Sequence, residues 1–144
     1  MANRMFNRIQ ALDKELKIIQ GQFTVSGGTG APSLVENKSP GIKSVARTAA
    51  GDYAITLGTP SGDSDIYPHF YNAFITCQKG SVFSATEGGV GSMIKSSTVN
   101  SDGVLNVFIL AADGSAKEVP TGSTVHVTLV LKNSNVAGVG AGSV

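Results

Sequence analysis

The stretch Lys43-Ser-Val-Ala-Arg-Thr-Ala-Ala-Gly-Asp-Tyr-Ala-Ile-Thr-Leu57 decides the fold. Tyr53, Ile55 and Leu57 alternate with Asp52, Ala54 and Thr56, the two-residue period of a strand with one buried face. Before the turn, Val45 alternates with Ser44 and Ala46, and Gly51 marks the point where the chain reverses. A two-stranded hairpin is not stable alone in water, so the remaining chain must supply the strands that cover its apolar side. Arg47 shares the alternation of Val45 and therefore points toward that covered side, where a charge needs a partner. The expected partner is a carboxylate or backbone carbonyls near a strand end or a subunit seam.

The covering strands can be read on both sides of this hairpin. Downstream, Met93 to Val99 and Val104 to Ala111 flank Asn100-Ser-Asp-Gly103, whose Asp-Gly pair is a strong hairpin signal. Asp113-Gly114 reverses the chain again into Ala116 to Val119, and Pro120-Thr-Gly122 turns it once more. Ser123 to Lys132 then sets Val125, Val127, Leu129 and Leu131 on one face and Thr124, His126 and Thr128 on the other. Upstream, Ile19, Phe23 and Val25 oppose Gln20, Gln22 and Thr24, again as a strand, and Leu34-Val35, between Pro32 and Pro40, suits an edge strand. His69 to Cys77 carries bulk on both faces, with Phe70 and Phe74 expected on one side and Tyr71 and Ile75 on the other. Burial on both faces accounts for such a strand. Val82 to Ala85 reads as a further short strand.

The N-terminus has a different period. Met5, Ile9, Leu12, Leu16 and Ile19 recur at spacings of four and three, the stripe of one helix face. The pattern predicts a helix over 4–15, with Asn3 as N-cap and Lys14 and Lys17 toward the end that favours cations. It is too short for a convincing coiled coil, because helices of this length are marginal without packing partners. Such a helix either docks on its own β domain or packs on a neighbouring subunit. At the other end, Val136 to Val144 is a tail of small residues, flexible unless a partner orders it. The expected organisation is an N-terminal helical arm over 1–18, a β domain over 19–135 and a tail over 136–144. The expected fold class is all-β, a sandwich or jelly-roll-like domain with a short helical N-terminal arm.

Composition narrows the functional classes. The 144 residues suit one domain, and only 15% are charged, well below the usual quarter or so. An uncharged surface of Ser, Thr, Asn and Gly suits contact with other protein subunits. The net charge of +1 leaves no broad electrostatic footprint for nucleic acid or an acidic membrane. The longest apolar run, Val107 to Ala112, is strand-sized and no segment reaches membrane-spanning length. Arg4 and Arg8 interrupt the place where the apolar region of a secretory signal would lie. Cys77 is the sole cysteine, which excludes an intramolecular disulfide and reads as a small buried hydrophobe.

No chemistry-bearing constellation emerges. The loop Ser26-Gly-Gly-Thr-Gly-Ala-Pro32 lacks the Gly-Lys-[Ser/Thr] ending of a phosphate-binding loop. Asp63 and Asp65 lack the spacing and closing glutamate of an EF-hand and read as solvated turn residues. His69 and His126 have no Cys, Asp or Glu at metal-ligand spacing, and no Ser-His-Asp or Cys-His arrangement follows from the order of residues. The expectation is therefore a non-enzyme with no catalytic residue, cofactor or metal.

Several segments taken in order carry a resemblance. Met1-Ala-Asn-Arg4, Asn7-Arg-Ile-Gln-Ala-Leu12 and Glu15-Leu-Lys-Ile18 are followed by Gly30-Ala-Pro-Ser33, Ser44-Val-Ala-Arg-Thr48, Gly51-Asp-Tyr-Ala-Ile-Thr-Leu57 and Leu129-Val-Leu-Lys-Asn-Ser134. Together they resemble small virion proteins of tailed bacteriophages, and within that group the head decoration, or cement, proteins. The resemblance implies a β domain that sits as a homotrimer on the outer capsid and braces neighbouring subunits of the major capsid protein. It implies no direct contact with nucleic acid or membrane, and a virion location after synthesis in the host cytoplasm. On this reading, the subunit contacts are expected from Met5, Phe6, Ile9, Leu12 and Leu16 of the arm, from Arg47, and from Phe70 and Phe74. Two other readings stay open: another virion component, such as a fibre, spike or tail protein, and a carbohydrate- or receptor-binding module stacking ligands on Tyr53, Tyr67 or Tyr71. The absence of Trp and an aromatic content of 6% weigh against the latter.

Overall fold

The computed structural model describes residues 16–26, 30–59, 61–80 and 90–132. The helix expected over 4–15, the strand expected at Val82 to Ala85 and the tail over 136–144 lie outside the described residues. Among the described residues there are eight strands: β1 (Leu16–Thr24), β2 (Ser33–Leu34), β3 (Ile42–Ala49), β4 (Asp52–Leu57), β5 (His69–Gln78), β6 (Val90–Thr98), β7 (Val104–Ala111) and β8 (Thr124–Lys132). They form two four-stranded sheets, β2-β1-β8-β5 and β3-β4-β7-β6. Every pairing within them is antiparallel. The protein is an all-β sandwich.

Alternation places the core between the sheets. Ile19, Phe23, Val125, Val127, Leu129 and Leu131 from the first sheet meet Tyr53, Ile55, Leu57, Leu105, Val107 and Ile109 from the second, and all are buried. The Phe23 and Tyr53 rings pack at a tilt of 47° with centroids 5.3 Å apart, the range in which aromatic pairs add to plain area burial. Gly21 is buried where β1 passes over β3, and a Cβ there would collide with the end of the Ile42 side chain. The buried hydroxyl of Ser39 accepts the Gln22 N–H at 2.9 Å, and so ties the loop after β2 back to β1.

The turns follow the sequence signals. Gly51 closes the β3–β4 hairpin at φ +65°, in the left-handed region that side chains disfavour. The β6–β7 hairpin turns through Asn100 to Gly103, where Gly103 has φ +69° and its carbonyl accepts the Leu57 N–H at 2.8 Å. β2 pairs only through Phe23↔Leu34 and Thr24↔Ser33, as an edge strand.

Two expectations are corrected. β1 begins at Leu16, within the segment assigned to the arm, so the last two members of the N-terminal stripe, Leu16 and Ile19, lie in a strand. Their odd separation puts them on opposite faces: Ile19 enters the core and Leu16 stays exposed. Phe70 and Phe74, expected on one side of β5, also separate. A register shift between Phe70 and Asn72 inserts Tyr71 as a bulge, which breaks strict alternation. Phe70 therefore packs against the core with Ala73, Ile75 and Cys77, whereas Phe74 points outward.

Candidate subunit interface

The outer face of the first sheet is assembled by register. Ile18 of β1 lies opposite Val130 of β8, which lies opposite Asn72 of β5. In the adjacent row Gln20 is opposite Thr128 and Thr128 opposite Phe74. Ile18 and Phe74 are each 59% exposed. Leu16, two residues before Ile18 on the same face, is also exposed, and Val130 between them is half-buried. Leu16, Ile18, Val130 and Phe74 thus make an apolar zone near the start of β1, interrupted by Lys132 opposite Leu16 and by Asn72 and Thr128.

The remainder of that face is polar. Gln22, His126 and Thr76 form one cross-strand row, and Thr24, Thr124 and Gln78 the next. His126 Nε2 hydrogen-bonds Gln78 Oε1 at 2.9 Å. A small polar depression of about 310 Å³ lies over Gln20, Gln22, Lys38 and His126. The sheet therefore presents an apolar end and a hydrophilic end side by side.

The second sheet differs on its outer face. Ala46, Ala54, Asn106 and Ser96 make a row of small and polar side chains, and Asn106 Nδ2 donates to Ser96 Oγ at 3.0 Å. Next to it, Asp52 is only 3% exposed. Lys95 stands at a bulge in β6 between Ile94 and Ser96. Its ammonium reaches Asp52 Oδ2 at 2.5 Å and lies 4.7 Å from the Phe108 ring centroid. The bulge brings an amine to a buried carboxylate that would otherwise be costly.

Of the residues expected at subunit contacts, Leu16 and Phe74 are both exposed on the outer face of the first sheet, two strands and two cross-strand rows apart. Phe70 packs inward, and Met5, Phe6, Ile9 and Leu12 lie outside the described residues. Arg47 faces inward opposite Tyr53 and pairs with Glu118, its Nε donating to Oε1 at 2.9 Å and Nη2 contacting the same oxygen. That hydrogen bond raises the Arg47 pKa. Its charge is thus satisfied within the chain by a carboxylate near a strand end. Burial, and secondly the charge of Glu118, push the Tyr53 phenol up to about 12. Burial likewise raises the Cys77 thiol, which disfavours a reactive thiolate.

Ile18 and Val130 escaped the sequence reading. The signal available for both was parity: Ile18 opposes the buried side set by Ile19, and Val130 falls among Thr124, His126 and Thr128. Of the tyrosines weighed as stacking platforms, Tyr53 and Tyr67 are buried. Tyr71 is 57% exposed and lines a shallow depression of about 330 Å³ with His69, Ser97 and Asn100. Asp65 Oδ2 lies 3.5 Å from the Tyr67 hydroxyl. Among the described residues no three of His, Cys, Asp and Glu gather as a metal site.

Fold and face together define a class: an all-β sandwich with exposed apolar residues on the outer face of one sheet. No family model, curated protein or solved structure matches the chain.

Proposed function

We propose that this chain is a decoration, or cement, protein of a tailed-bacteriophage capsid, a homotrimer that binds the outer head surface and stabilises contacts between major capsid protein subunits. The observation that carries the reading beyond the sequence resemblance is the apolar zone of Leu16, Ile18, Val130 and Phe74 on an otherwise polar face. Full burial of a side chain such as Ile18 or Phe74 is worth about 1.5–3 kcal/mol relative to exposure. A sandwich rich in buried cross-strand pairs is a stiff support for such contacts. Its mechanism is mass action: a protein that binds the assembled lattice and not its separated subunits stabilises the lattice.

The test is to strip the protein from virions and heat them beside intact particles. A lower temperature of DNA release from stripped heads, restored by adding the protein back at hundreds of copies per particle, supports decoration. Unchanged head stability with no mass lost from the head surface overturns it, and a few copies at one vertex assign the chain to a fibre, spike or tail.

A second reading rests on Tyr71, whose exposed ring beside His69 and Asn100 offers a stacking platform with hydrogen-bonding neighbours for a carbohydrate. Micromolar binding on a glycan array, lost in Tyr71→Ala, would favour it.

A further inference from the structure

We propose that Asp102, in the turn of the β6–β7 hairpin, isomerises spontaneously to isoaspartate, and that Ser115 protects Asp113 from the same reaction. Both residues precede glycine, in Asp102-Gly103 and Asp113-Gly114. Glycine has no side chain to hinder the approach of its own nitrogen to the side chain before it. The Gly nitrogen bonds to the Asp Cγ, and the carboxyl hydroxyl leaves with the nitrogen's proton as water, closing a five-membered succinimide. Water then adds to the ring's main-chain carbonyl and opens the original peptide bond. The chain now runs through the Asp side chain. The product is an isomer of the starting protein, and no oxidant or other reactant is consumed.

The fold holds these two dipeptides differently. Both aspartates are exposed, but their carboxylates are not equally engaged. Asp113 Oδ1 accepts the Ser115 hydroxyl at 2.6 Å and the Ser115 N–H at 2.9 Å. These bonds, the hydroxyl's first, hold the Asp113 carboxyl below the usual carboxylate range. They favour the ionised form, which has no hydroxyl to lose. Among the described residues the Asp102 carboxylate accepts no hydrogen bond. The attacking nitrogens differ as well. Gly114 N–H donates to the Ala111 carbonyl at 3.0 Å. Gly103 N–H is one of three backbone donors on the Thr98 carbonyl, at 3.1 Å against 2.7 Å for Asp102 and 3.0 Å for Ser101. An oxygen with two lone pairs cannot serve three donors equally, so Gly103 N–H is the more loosely held. The added main-chain methylene would fall next to Gly103, whose carbonyl accepts the Leu57 N–H at 2.8 Å. Isomerisation therefore acts on the contact between this turn and β4.

The test is to age the full chain at neutral pH and physiological temperature, folded and in concentrated urea, and to map isoaspartate by peptide mass spectrometry with isoaspartyl methyltransferase labelling. In the folded protein isoaspartate is expected to accumulate several-fold faster at 102 than at 113. In urea the two rates are expected to converge. Ser115→Ala is expected to raise the rate at 113 in the folded protein and to leave that at 102 unchanged. A folded-state rate at 113 equal to or above that at 102 overturns the inference, as does the absence of isoaspartate at 102 or an unchanged rate at 113 in Ser115→Ala. A difference that persists in urea also overturns it, because it would then belong to the neighbouring residues in sequence and not to the fold.

Discussion

Arg47 and Glu118, 71 residues apart in sequence, form an ion pair at the end of the β3–β4 hairpin, with Arg47 directly opposite the buried Tyr53. The pair fastens the segment after β7 to the edge of the second sheet. Arg47→Ala is expected to lower the melting temperature by leaving Glu118 without its partner, and Glu118→Gln to lower it less, because an amide oxygen can still accept the Arg47 hydrogen bond. Differential scanning calorimetry of the two variants orders them. An Arg47→Ala protein as stable as the parent would show that the pair contributes nothing.

The Tyr53 phenol titrates at about 12 when folded, against about 10 for an unperturbed tyrosine. A raised folded pKa contributes stability that is complete below the unfolded value and is lost as pH rises through the folded one. Stability should therefore fall between about pH 10 and 12, where the unfolded chain releases this proton and the folded chain holds it. Tyr53→Phe is expected to flatten that loss in denaturant titrations and to remove one late phenolate step at 295 nm. Because the buried hydroxyl has no hydrogen-bond partner among the described residues, the same change should cost little at neutral pH.

Gly51 is constrained twice. Its φ of +65° alone would cost an L-residue about 1–2 kcal/mol, and an added Cβ would stand 2.6 Å from the Ile109 carbonyl oxygen and 2.7 Å from that of Lys117. Gly51→Ala should therefore destabilise by more than about 2 kcal/mol, measured as a shift in the urea midpoint. Gly114 has φ +81° with nothing among the described residues within 4 Å of its would-be Cβ, so Gly114→Ala should cost only the conformational share.

Among the described residues, Lys95→Met removes the only partner of a buried carboxylate, Asp52, whose Oδ1 has no hydrogen bond there. The expected loss is about 1–3 kcal/mol. Adding Asp52→Asn should recover part of it, because a neutral amide is less costly to bury than a charge. A double variant no better than the single would contradict this account.

Phe70 and Phe74 offer a matched comparison. Phe70→Ala removes a ring packed on the core and should cost about 3 kcal/mol, whereas Phe74→Ala removes a mainly exposed ring and should change folding stability by about 0.5 kcal/mol or less. Unfolding of both variants, each kept dilute enough to suppress association, gives the contrast.

These residues also show what the sequence makes legible. Gly51, Gly103 and Gly114 announce their turns because a left-handed backbone restricts the residue choice, and β8 announces itself through four apolar residues at period two. Register is another matter. The bulge at Tyr71 leaves no mark in composition, so Phe70 and Phe74 read as neighbours on one face. Leu16 satisfied helix and strand templates alike, and only pairing with Lys132 settles it. Arg47 declared a need for a partner, but Glu118 could not be singled out, because a contact across 71 residues depends on topology. The exposed apolar residues were half visible for a similar reason: Phe74 is a conspicuous residue, whereas Ile18 and Val130 stand out only once one knows which side faces water.

Strand β5 changes allegiance once along its length. Before Tyr71 the ring that faces inward is Phe70; after it the inward positions are Ala73, Ile75 and Cys77. Deleting Tyr71 would join Phe70 to Asn72 in the register they already hold opposite Leu131 and Val130, so the bulge would vanish while Phe74 stayed outside and Ile75 inside. The bulge is therefore the one place along β5 where the chain can lose a residue without exchanging its two faces, and a gap of one in an alignment of relatives fits here better than elsewhere in the strand.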